Sequence, residues 1–205
     1  MRDQEFIRGK VPMTKREVRA VSLERLEIRD GEVLYDIGAG TGSVAIEAAL
    51  ASPGCRVYAF EQKEEACRLI RQNQEKFKVR NVTLIPGCAP ESLEGLPAPD
   101  KVFIGGSGGK MAEILEYVAR QNPAVRIVIN IIALETLAEV TRYLEQQGLE
   151  AETVCIQVSR ARKAGAYHLM EAMNPVYVVT LDQADAGGRE EARNNGNTQN
   201  RDGLA

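Results

Sequence analysis

The sequence predicts an α/β fold with a mostly parallel sheet of seven strands, helices on both faces and an antiparallel hairpin at the C-terminal edge. Two observations lead to this prediction. Short apolar runs, each the length of one buried strand, alternate with segments of helix formers over most of the chain. Near the C-terminus the alternation stops, and two further strand-like runs follow with no clear helix between them. The alternation is typical of parallel strands whose connecting helices cover both faces.

The first predicted element is a helix over about 14–27. Thr14 is followed three residues later by Glu17, which is the spacing of a capping box, and Val18, Val21 and Leu26 supply an apolar face. The strands and helices that follow are predicted in order at 33–37, 43–51, 56–60, 63–77, 82–85, 101–104, 109–121, 125–130 and 134–147. The strands at 151–158 and 175–180 are predicted to form the antiparallel edge.

Length and composition predict one domain with a polar tail. The chain has 205 residues, of which 44% are hydrophobic, enough for a single substantial core. The domain is predicted over 1–181. Residues 182–205 are crowded with Gly, Asn, Asp, Glu and Arg and are predicted to be disordered, because so polar a segment cannot bury enough apolar surface to offset its ordering entropy.

Charge and cysteine usage exclude several classes of protein. The 26 basic and 29 acidic residues give a formal charge of -3, which disfavours binding to nucleic acid through excess positive charge. No apolar run approaches the roughly 18 residues that span a bilayer, and the first ten residues are charged, so a cytoplasmic protein without a membrane partner is expected. The four cysteines form no C-x-x-C pair and His168 is the single histidine, so no metal site is predicted.

A glycine loop follows the first strand, in the run Asp36-Ile37-Gly38-Ala39-Gly40-Thr41-Gly42. Glycines let the backbone approach a ligand closely. A pyrophosphate cradle is the weaker interpretation, because Ser43 stands where a dinucleotide fingerprint has its third glycine. Glu61 ends the next strand, where a carboxylate can accept both hydroxyls of a ribose. The alternatives are an ordinary tight turn, capped by Asp36, and a solvated Glu61.

Together these residues resemble the class I S-adenosylmethionine-dependent methyltransferases, which have a Rossmann-like fold, over about 11–180. The resemblance implies S-adenosylmethionine as methyl donor. After the third strand this fold commonly presents an acidic side chain and backbone to the adenine, and here Cys88 occupies the acidic place, leaving the backbone of Cys88 and Ala89. The alternative is a proline-pinned connector. The Asn/Asp-Pro-Pro-aromatic motif of amino-nitrogen methyltransferases is missing after the fourth strand, and Asn174-Pro175-Val176-Tyr177 is expected to lie away from the donor.

Two features suggest a substrate that carries carboxylates. The run from Gly105 through Gly106 to Gly109 could open a helix with free backbone N–H groups, which bind anions, or could be a flexible loop. Basic residues lie between the last two strands and around the first helix. They are Arg160, Arg162, Lys163, Arg8, Lys10, Lys15 and Arg16. Several cations around one mouth would bind carboxylates, although solvated surface charge is the alternative for each of them.

A narrower resemblance covers nearly all of the predicted domain. Five motifs together with the glycine loop resemble the decarboxylating cobalt-precorrin-6B methyltransferase family of cobalamin biosynthesis: Gly9-Lys10-Val11-Pro12-Met13-Thr14-Lys15, Gly87-Cys88-Ala89-Pro90-Glu91, Phe103-Ile104-Gly105-Gly106-Ser107-Gly108, Tyr167-His168 and Asn174-Pro175-Val176-Tyr177. The resemblance implies methylation of carbon 15 of a polycarboxylate tetrapyrrole, loss of carbon dioxide from the ring C acetate, and a homotetramer. It also implies that Thr14, Gly38–Gly42, Glu61 and Ala89 are donor-site positions.

Other functions remain open from the residues alone. Tyr167 and His168 are weak candidates for catalysis, since a histidine could move a proton or bind a substrate carboxylate. The rival functions are methylation of another small molecule, methylation of RNA, and a non-catalytic regulator that binds S-adenosylmethionine, because fold does not fix function.

Overall fold

The structure, a computed structural model, describes residues 1–182. Its helices are α1 (Arg16–Leu26), α2 (Ser43–Ala51), α3 (Glu64–Phe77), α4 (Met111–Gln121) and α5 (Leu134–Gln147). Its strands are β1 (Val33–Ile37), β2 (Arg56–Glu61), β3 (Val82–Pro86), β4 (Lys101–Ile104), β5 (Arg126–Ile131), β6 (Glu152–Ile156), β7 (Ser159–Ala164), β8 (Tyr167–Ala172) and β9 (Val176–Asp182). Short 3-10 turns occur at Asp3–Glu5 and Glu91–Leu93.

The main sheet has seven strands in the order β3-β2-β1-β4-β5-β9-β6. Strands β1 to β5 pair in parallel, and β9 pairs antiparallel with both β5 and β6. The predicted fold class is therefore confirmed, including the antiparallel edge. Because β1 to β5 run in the same direction, their carboxyl ends meet along one edge of the sheet, where ligands bind in open α/β sheets.

Helices cover both faces of this sheet, and its central strands β1, β4 and β5 are buried on both sides, whereas the edge strands β3 and β6 are partly exposed. In β1, Val33, Tyr35 and Ile37 pack in the cluster that contains α4 and α5, while Leu34 packs in the cluster that contains α1 and α2. Successive strand residues point to opposite faces, so a strand covered on both faces is apolar throughout. Helix α3 packs beside α2 against β2 and β3.

A second, two-stranded sheet was missed in the sequence. Strands β7 and β8 pair antiparallel from Ser159↔Ala172 to Ala164↔Tyr167 and form a hairpin outside the main sheet. Nearly all of its residues are exposed. The hairpin therefore lacks the alternation of apolar and polar residues by which strands are recognised, and β7 in particular, with the sequence SRARKA, carries three cations.

Both ends of the predicted domain differ slightly from the prediction. Helix α1 begins at Arg16 with Lys15 as N-cap and no side-chain cap, so the predicted capping role of Thr14 is wrong. The Thr14 carbonyl instead accepts a hydrogen bond from Arg19 Nη1 at 2.6 Å. Strand β9 continues to Asp182, whose carboxylate pairs with Arg126, one residue beyond the predicted boundary. The predicted disorder of the rest of the tail lies outside the described residues. No helix among residues 1–182 is long and apolar enough to cross a membrane.

Candidate active site

A cavity of about 910 Å³ opens at the carboxyl ends of the parallel strands. The end of β1 and the loops after β2 and β3 line one half of it, and the ends of β4 and β5 with the start of β9 line the other. The N-terminal segment 10–15 and the base of the β7–β8 hairpin complete the wall. Of the site residues predicted from sequence, those that line the cavity are Thr14, Gly38, Ala39, Gly40, Glu61, Cys88, Ala89, Gly105, Gly106 and Arg160.

The glycine loop is packed closely against its neighbours. Gly38 has a φ of +72°, and a Cβ there would lie 2.6 Å from the Gly106 carbonyl oxygen. A Cβ at Gly40 would lie 3.0 Å from the carbonyl oxygen of Pro12. The N–H groups of Gly38 and Ala39 both donate to the Phe60 carbonyl at 3.0 Å. Only glycine allows the loop after β1 to touch both the loop after β4 and the N-terminal segment.

Glu61 lies at the end of β2 with its carboxylate fixed by backbone. Oε2 accepts a hydrogen bond from the Gly40 N–H at 2.9 Å, and Oε1 accepts one from the Lys63 N–H at 2.9 Å. The residue is 8% exposed and lines the cavity. A carboxylate offers about four acceptor positions. The two backbone contacts therefore leave capacity for two hydroxyl donors of a ligand.

Asp36 supports the loop from below and does not line the cavity. The residue is fully buried, and its Oδ2 accepts the Ala45 N–H at 2.9 Å near the start of α2, while Oδ1 has no partner. Burial raises the pKa of this carboxyl to about 7, and the charge of Glu61 adds to the rise. Thr41 and Gly42, also predicted to bind the donor, are likewise absent from the lining: Thr41 is buried and Gly42 is the N-cap of α2.

Cys88 and Ala89 line the cavity next to the loop that follows β4. The Cys88 thiol lies 3.4 Å from the Ala89 carbonyl oxygen, to which it donates. A Cβ placed on Gly108 would lie 3.7 Å from Cys88 Sγ and 3.9 Å from Gln62 Nε2. Gln62 also lines the cavity. The loops after β2, β3 and β4 thus approach one another around a pocket with a thiol and an amide at its rim.

The N-terminal segment is fixed by two buried polar side chains that sequence reasoning missed. Arg19 is fully buried, pairs with Asp3 and Glu47, and donates to the Thr14 carbonyl. Asn73 on α3 is also fully buried. Its Oδ1 accepts the Ile7 N–H at 2.8 Å, and its Nδ2 donates to the carbonyls of Ile7 and Thr41 at 2.8 and 3.0 Å. Both residues lie within amphipathic helices, where no local signal separates them from surface side chains.

The loop after β4 does not provide all the free N–H groups that its glycines suggested. The N–H groups of Gly105 and Gly106 point to the Ile37 carbonyl at 2.9 and 3.4 Å, so they hold β4 against β1. Helix α4 begins beyond this run, at Met111. The N–H groups of Gly105 and Gly106 are thus used within the fold, while both residues line the cavity, and their assignment to substrate binding stays a prediction.

Of the hairpin residues predicted as substrate-binding cations or catalytic candidates, Arg160 lines the cavity and Arg162, Tyr167 and His168 do not. Arg160 lines the cavity but is engaged by Glu17 at 2.7 Å and Asp3 at 3.3 Å, and this contact lowers the pKa of Glu17. Arg162 lies outside the lining and pairs with Glu171 at 3.3 Å. Tyr167 and His168 are exposed on β8, also outside the lining.

Two asparagines in the lining were not predicted. Asn174, at the start of β9, lines the cavity on the wall opposite the glycine loop, and the expectation that its run lies away from the donor stays a prediction. Asn130 is near the end of β5 and also lines the cavity. A polar residue that interrupts an apolar strand at its carboxyl end is the sequence signal that could have identified Asn130.

Comparisons with known proteins identify a family. A family model described as a precorrin methyltransferase domain matches residues 5–183. A protein of Salmonella typhimurium named cobalt-precorrin-6B C(15)-methyltransferase (decarboxylating) is 38% identical over 188 residues, which is 90% of this chain and 97% of that protein. A Pyrobaculum calidifontis protein named "Probable cobalt-precorrin-6B C(15)-methyltransferase (decarboxylating)" is 44% identical over 181 residues, covering 87% and 93%.

A solved structure agrees with these sequence relatives. The crystal structure of precorrin-6y C5,15-methyltransferase from Geobacter metallireducens has a TM-score of 0.83 and 43% identity to this chain. The match covers 89% of this chain and 97% of the Geobacter chain.

Proposed function

The chain belongs to the precorrin methyltransferase family, and we propose that it transfers a methyl group from S-adenosylmethionine to carbon 15 of cobalt-precorrin-6B and decarboxylates the ring C acetate side chain, which leaves a methyl group on ring C and releases carbon dioxide. The names of the relatives support the acceptor and the decarboxylation. The observation that carries the proposal is the cavity of about 910 Å³, in which a glycine loop and a fixed carboxylate face an opposite wall built from β4, β5 and β9.

The residues of the first half fit S-adenosylmethionine. The glycine loop is packed so closely that Gly38 and Gly40 leave no room for a Cβ. The Glu61 carboxylate keeps acceptor capacity beyond its two backbone contacts. Glu61 would bind the ribose hydroxyls, Gly38–Gly40 and Thr14 would contact the methionine portion, and the backbone of Cys88 and Ala89 would border the adenine. When bound, this donor supplies an electrophilic methyl group on a sulfonium.

The opposite half would bind the tetrapyrrole. Lys10, Lys15 and Arg160 lie in the lining, and cations there would hold carboxylates of the macrocycle. Val11, Met13 and Ile132 add apolar surface against the ring system. Because methyl transfer needs the donor methyl in line with the attacking carbon, the contribution of these residues is orientation and exclusion of water. Among residues 1–182 no group of three or more His, Cys, Asp or Glu could hold a metal, and cobalt belongs to the substrate.

We also propose a homotetramer. The exposed side chains of β8 support self-association, since Tyr167, Leu169 and Met170 are 74%, 55% and 67% exposed in the single subunit. Large apolar side chains exposed together on one element mark interaction surfaces. Light scattering coupled to gel filtration should give four subunits, and a monomer or dimer at micromolar concentration would contradict this.

Incubation with methyl-labelled S-adenosylmethionine and cobalt-precorrin-6B tests the proposed function. The expected product gains one labelled methyl group and loses one carbon dioxide, both detected by mass spectrometry. Donor binding with neither change would favour another small acceptor, RNA, or a non-catalytic regulator. An RNA acceptor would bind with strong salt dependence, which the formal charge of -3 does not favour.

A further inference from the structure

Asn130 has hydrogen-bonding capacity that the fold does not use. The residue lies near the end of β5, lines the cavity and is half-buried. Its Oδ1 lies 3.0 Å from Ser22 Oγ, while its buried Nδ2 has no acceptor within residues 1–182. A buried donor without an acceptor is costly. A ligand that enters the cavity would relieve this cost if it brought an acceptor.

Ser22 holds the amide from below. It is fully buried on α1, and its Oγ lies 2.9 Å from the Val18 carbonyl oxygen as well as 3.0 Å from Asn130 Oδ1. A hydroxyl carries one proton, so Ser22 donates to only one of these oxygens at a time. If it donates to Val18, the Asn130 amide turns and Nδ2 donates to Ser22 Oγ. In both arrangements at least one of the two N–H bonds of Asn130 remains free.

The strand ends beside Asn130 contribute only neutral residues to the cavity lining. The lining residues from the ends of β1, β4 and β5 and the start of β9 are neutral, among them Ile37, Gly105 and Val176. The cations come instead from other elements: Lys10 and Lys15 from the N-terminal segment, Arg160 from the hairpin base, and Lys63 from the loop after β2. The cavity therefore offers two environments for carboxylates, one with cations and one with a neutral amide.

The two environments have opposite effects on decarboxylation. When an acetate carboxylate is lost, its C–C bond breaks, the electron pair moves into the conjugated macrocycle and carbon dioxide leaves; a proton from water then adds to the remaining CH2 carbon and converts it into a methyl group. Negative charge leaves the carboxylate as the bond breaks, so a cation on that carboxylate would stabilise the ground state more than the transition state. A neutral amide orients the carboxylate with a weaker ground-state stabilisation.

We propose that Asn130, held by Ser22, binds the acetate carboxylate that the reaction removes, while the cations bind carboxylates that the product keeps. This inference rests on the proposed function and assigns the choice of the leaving carboxylate to one residue.

The ratio of carbon dioxide loss to methyl transfer tests this assignment. It is measured on the same cobalt-precorrin-6B sample as labelled carbon dioxide released and labelled methyl incorporated, for the wild type, Asn130→Asp, Asn130→Leu and Ser22→Ala. We expect the ratio to fall about tenfold in both Asn130 variants, since a positioned donor contributes to the barrier at about this level or more. Ser22→Ala should lower it in the same direction by less.

A matched control and two binding measurements separate chemistry from folding. Gln146→Glu makes the same amide-to-acid change on an exposed position of α5 and should leave the ratio unchanged. Thermal unfolding and the dissociation constant for S-adenosylmethionine should stay near wild type in Asn130→Leu. An unchanged ratio, or equal loss of both steps, overturns the role of Asn130 while the wild-type activity stands. A wild type that performs neither step overturns the proposed function itself.

Discussion

The buried carboxyl of Asp36 should make the stability of the protein depend on pH. Asp36 lies under the glycine loop with one oxygen bonded to the Ala45 N–H and the other without a partner. Burial raises its pKa from 3.8 to about 7, with a smaller contribution from the charge of Glu61. The folded protein therefore keeps a proton that the unfolded chain has released over this whole interval.

The sign and size of the effect follow from this difference in pKa. Where the folded state binds more protons than the unfolded state, the free energy of unfolding decreases as pH rises. A rise of about three pKa units at about 1.4 kcal/mol each amounts to about 4 kcal/mol, lost between about pH 4 and pH 7. Above pH 7 both states are ionised and this contribution is constant.

Asp36→Asn gives the comparison that isolates this carboxyl. The asparagine keeps an oxygen for the Ala45 N–H but cannot ionise, and the other carboxyl groups titrate in both proteins. Urea unfolding of both proteins at several pH values from about 4.5 to 8 gives the free energy of unfolding. We expect the wild type to lose stability relative to the variant as pH rises, up to about pH 7. A difference that stays constant, or that changes in favour of the wild type, refutes the reasoning.

Three further predictions concern the cavity. Glu61→Gln replaces one of the two oxygens that accept the Gly40 and Lys63 N–H groups by an amide donor. Calorimetry should then give a dissociation constant for S-adenosylmethionine that is at least about tenfold higher than that of the wild type. The control Glu64→Gln, at an exposed position, should bind as the wild type does. Gly38→Ala places a side chain at a positive φ and also brings its Cβ to 2.6 Å from the Gly106 carbonyl oxygen. Gly31→Ala is the control, because its φ is +90° but nothing lies within 4 Å of its Cβ. Urea unfolding should show a larger loss of stability for Gly38→Ala than for Gly31→Ala, which carries only the roughly 1–2 kcal/mol of a left-handed backbone. Arg160→Ala should raise the KM for the tetrapyrrole about tenfold with little change in donor affinity. The reason is that the exposed pairs of Arg160 with Glu17 and Asp3 cost little to exchange for a substrate carboxylate. An equal effect of Arg162→Ala, whose residue lies outside the cavity lining, would contradict a specific role of Arg160.

The main sheet could be predicted because its central strands are buried on both faces. Strands such as β1 and β5 are nearly continuous apolar runs, and the helices between them supply the alternation that implies a parallel sheet. The hairpin could not be predicted in the same way. Strands β7 and β8 have two exposed faces, so their sequence carries no period of burial.

Whether a site residue could be predicted likewise depends on which contacts fix its position. Glu61 and the glycines after β1 could be placed because the end of a parallel strand has a fixed position relative to its neighbours. Asp36 was assigned correctly to that edge, and its contact with the Ala45 N–H, with its absence from the cavity lining, favours the alternative in which it supports the glycine turn. Arg19 and Asn73 depend on contacts with residues far along the chain, which no local pattern contains.

The two halves of the cavity therefore have different origins. The donor half is built from consecutive strand–loop units whose geometry the sheet determines. The half proposed to bind the acceptor needs the end of β5, the start of β9 and the hairpin base together with the N-terminal segment, which borders both halves, and distant parts of the chain are joined there by contacts such as Arg160 with Asp3. Because the second half can change without altering the sheet, a methyltransferase fold of this kind can retain its donor site while its acceptor changes. The choice of acceptor and of leaving carboxylate should accordingly respond to substitutions at Asn130 and Arg160, while donor affinity responds to Glu61 and the glycine loop.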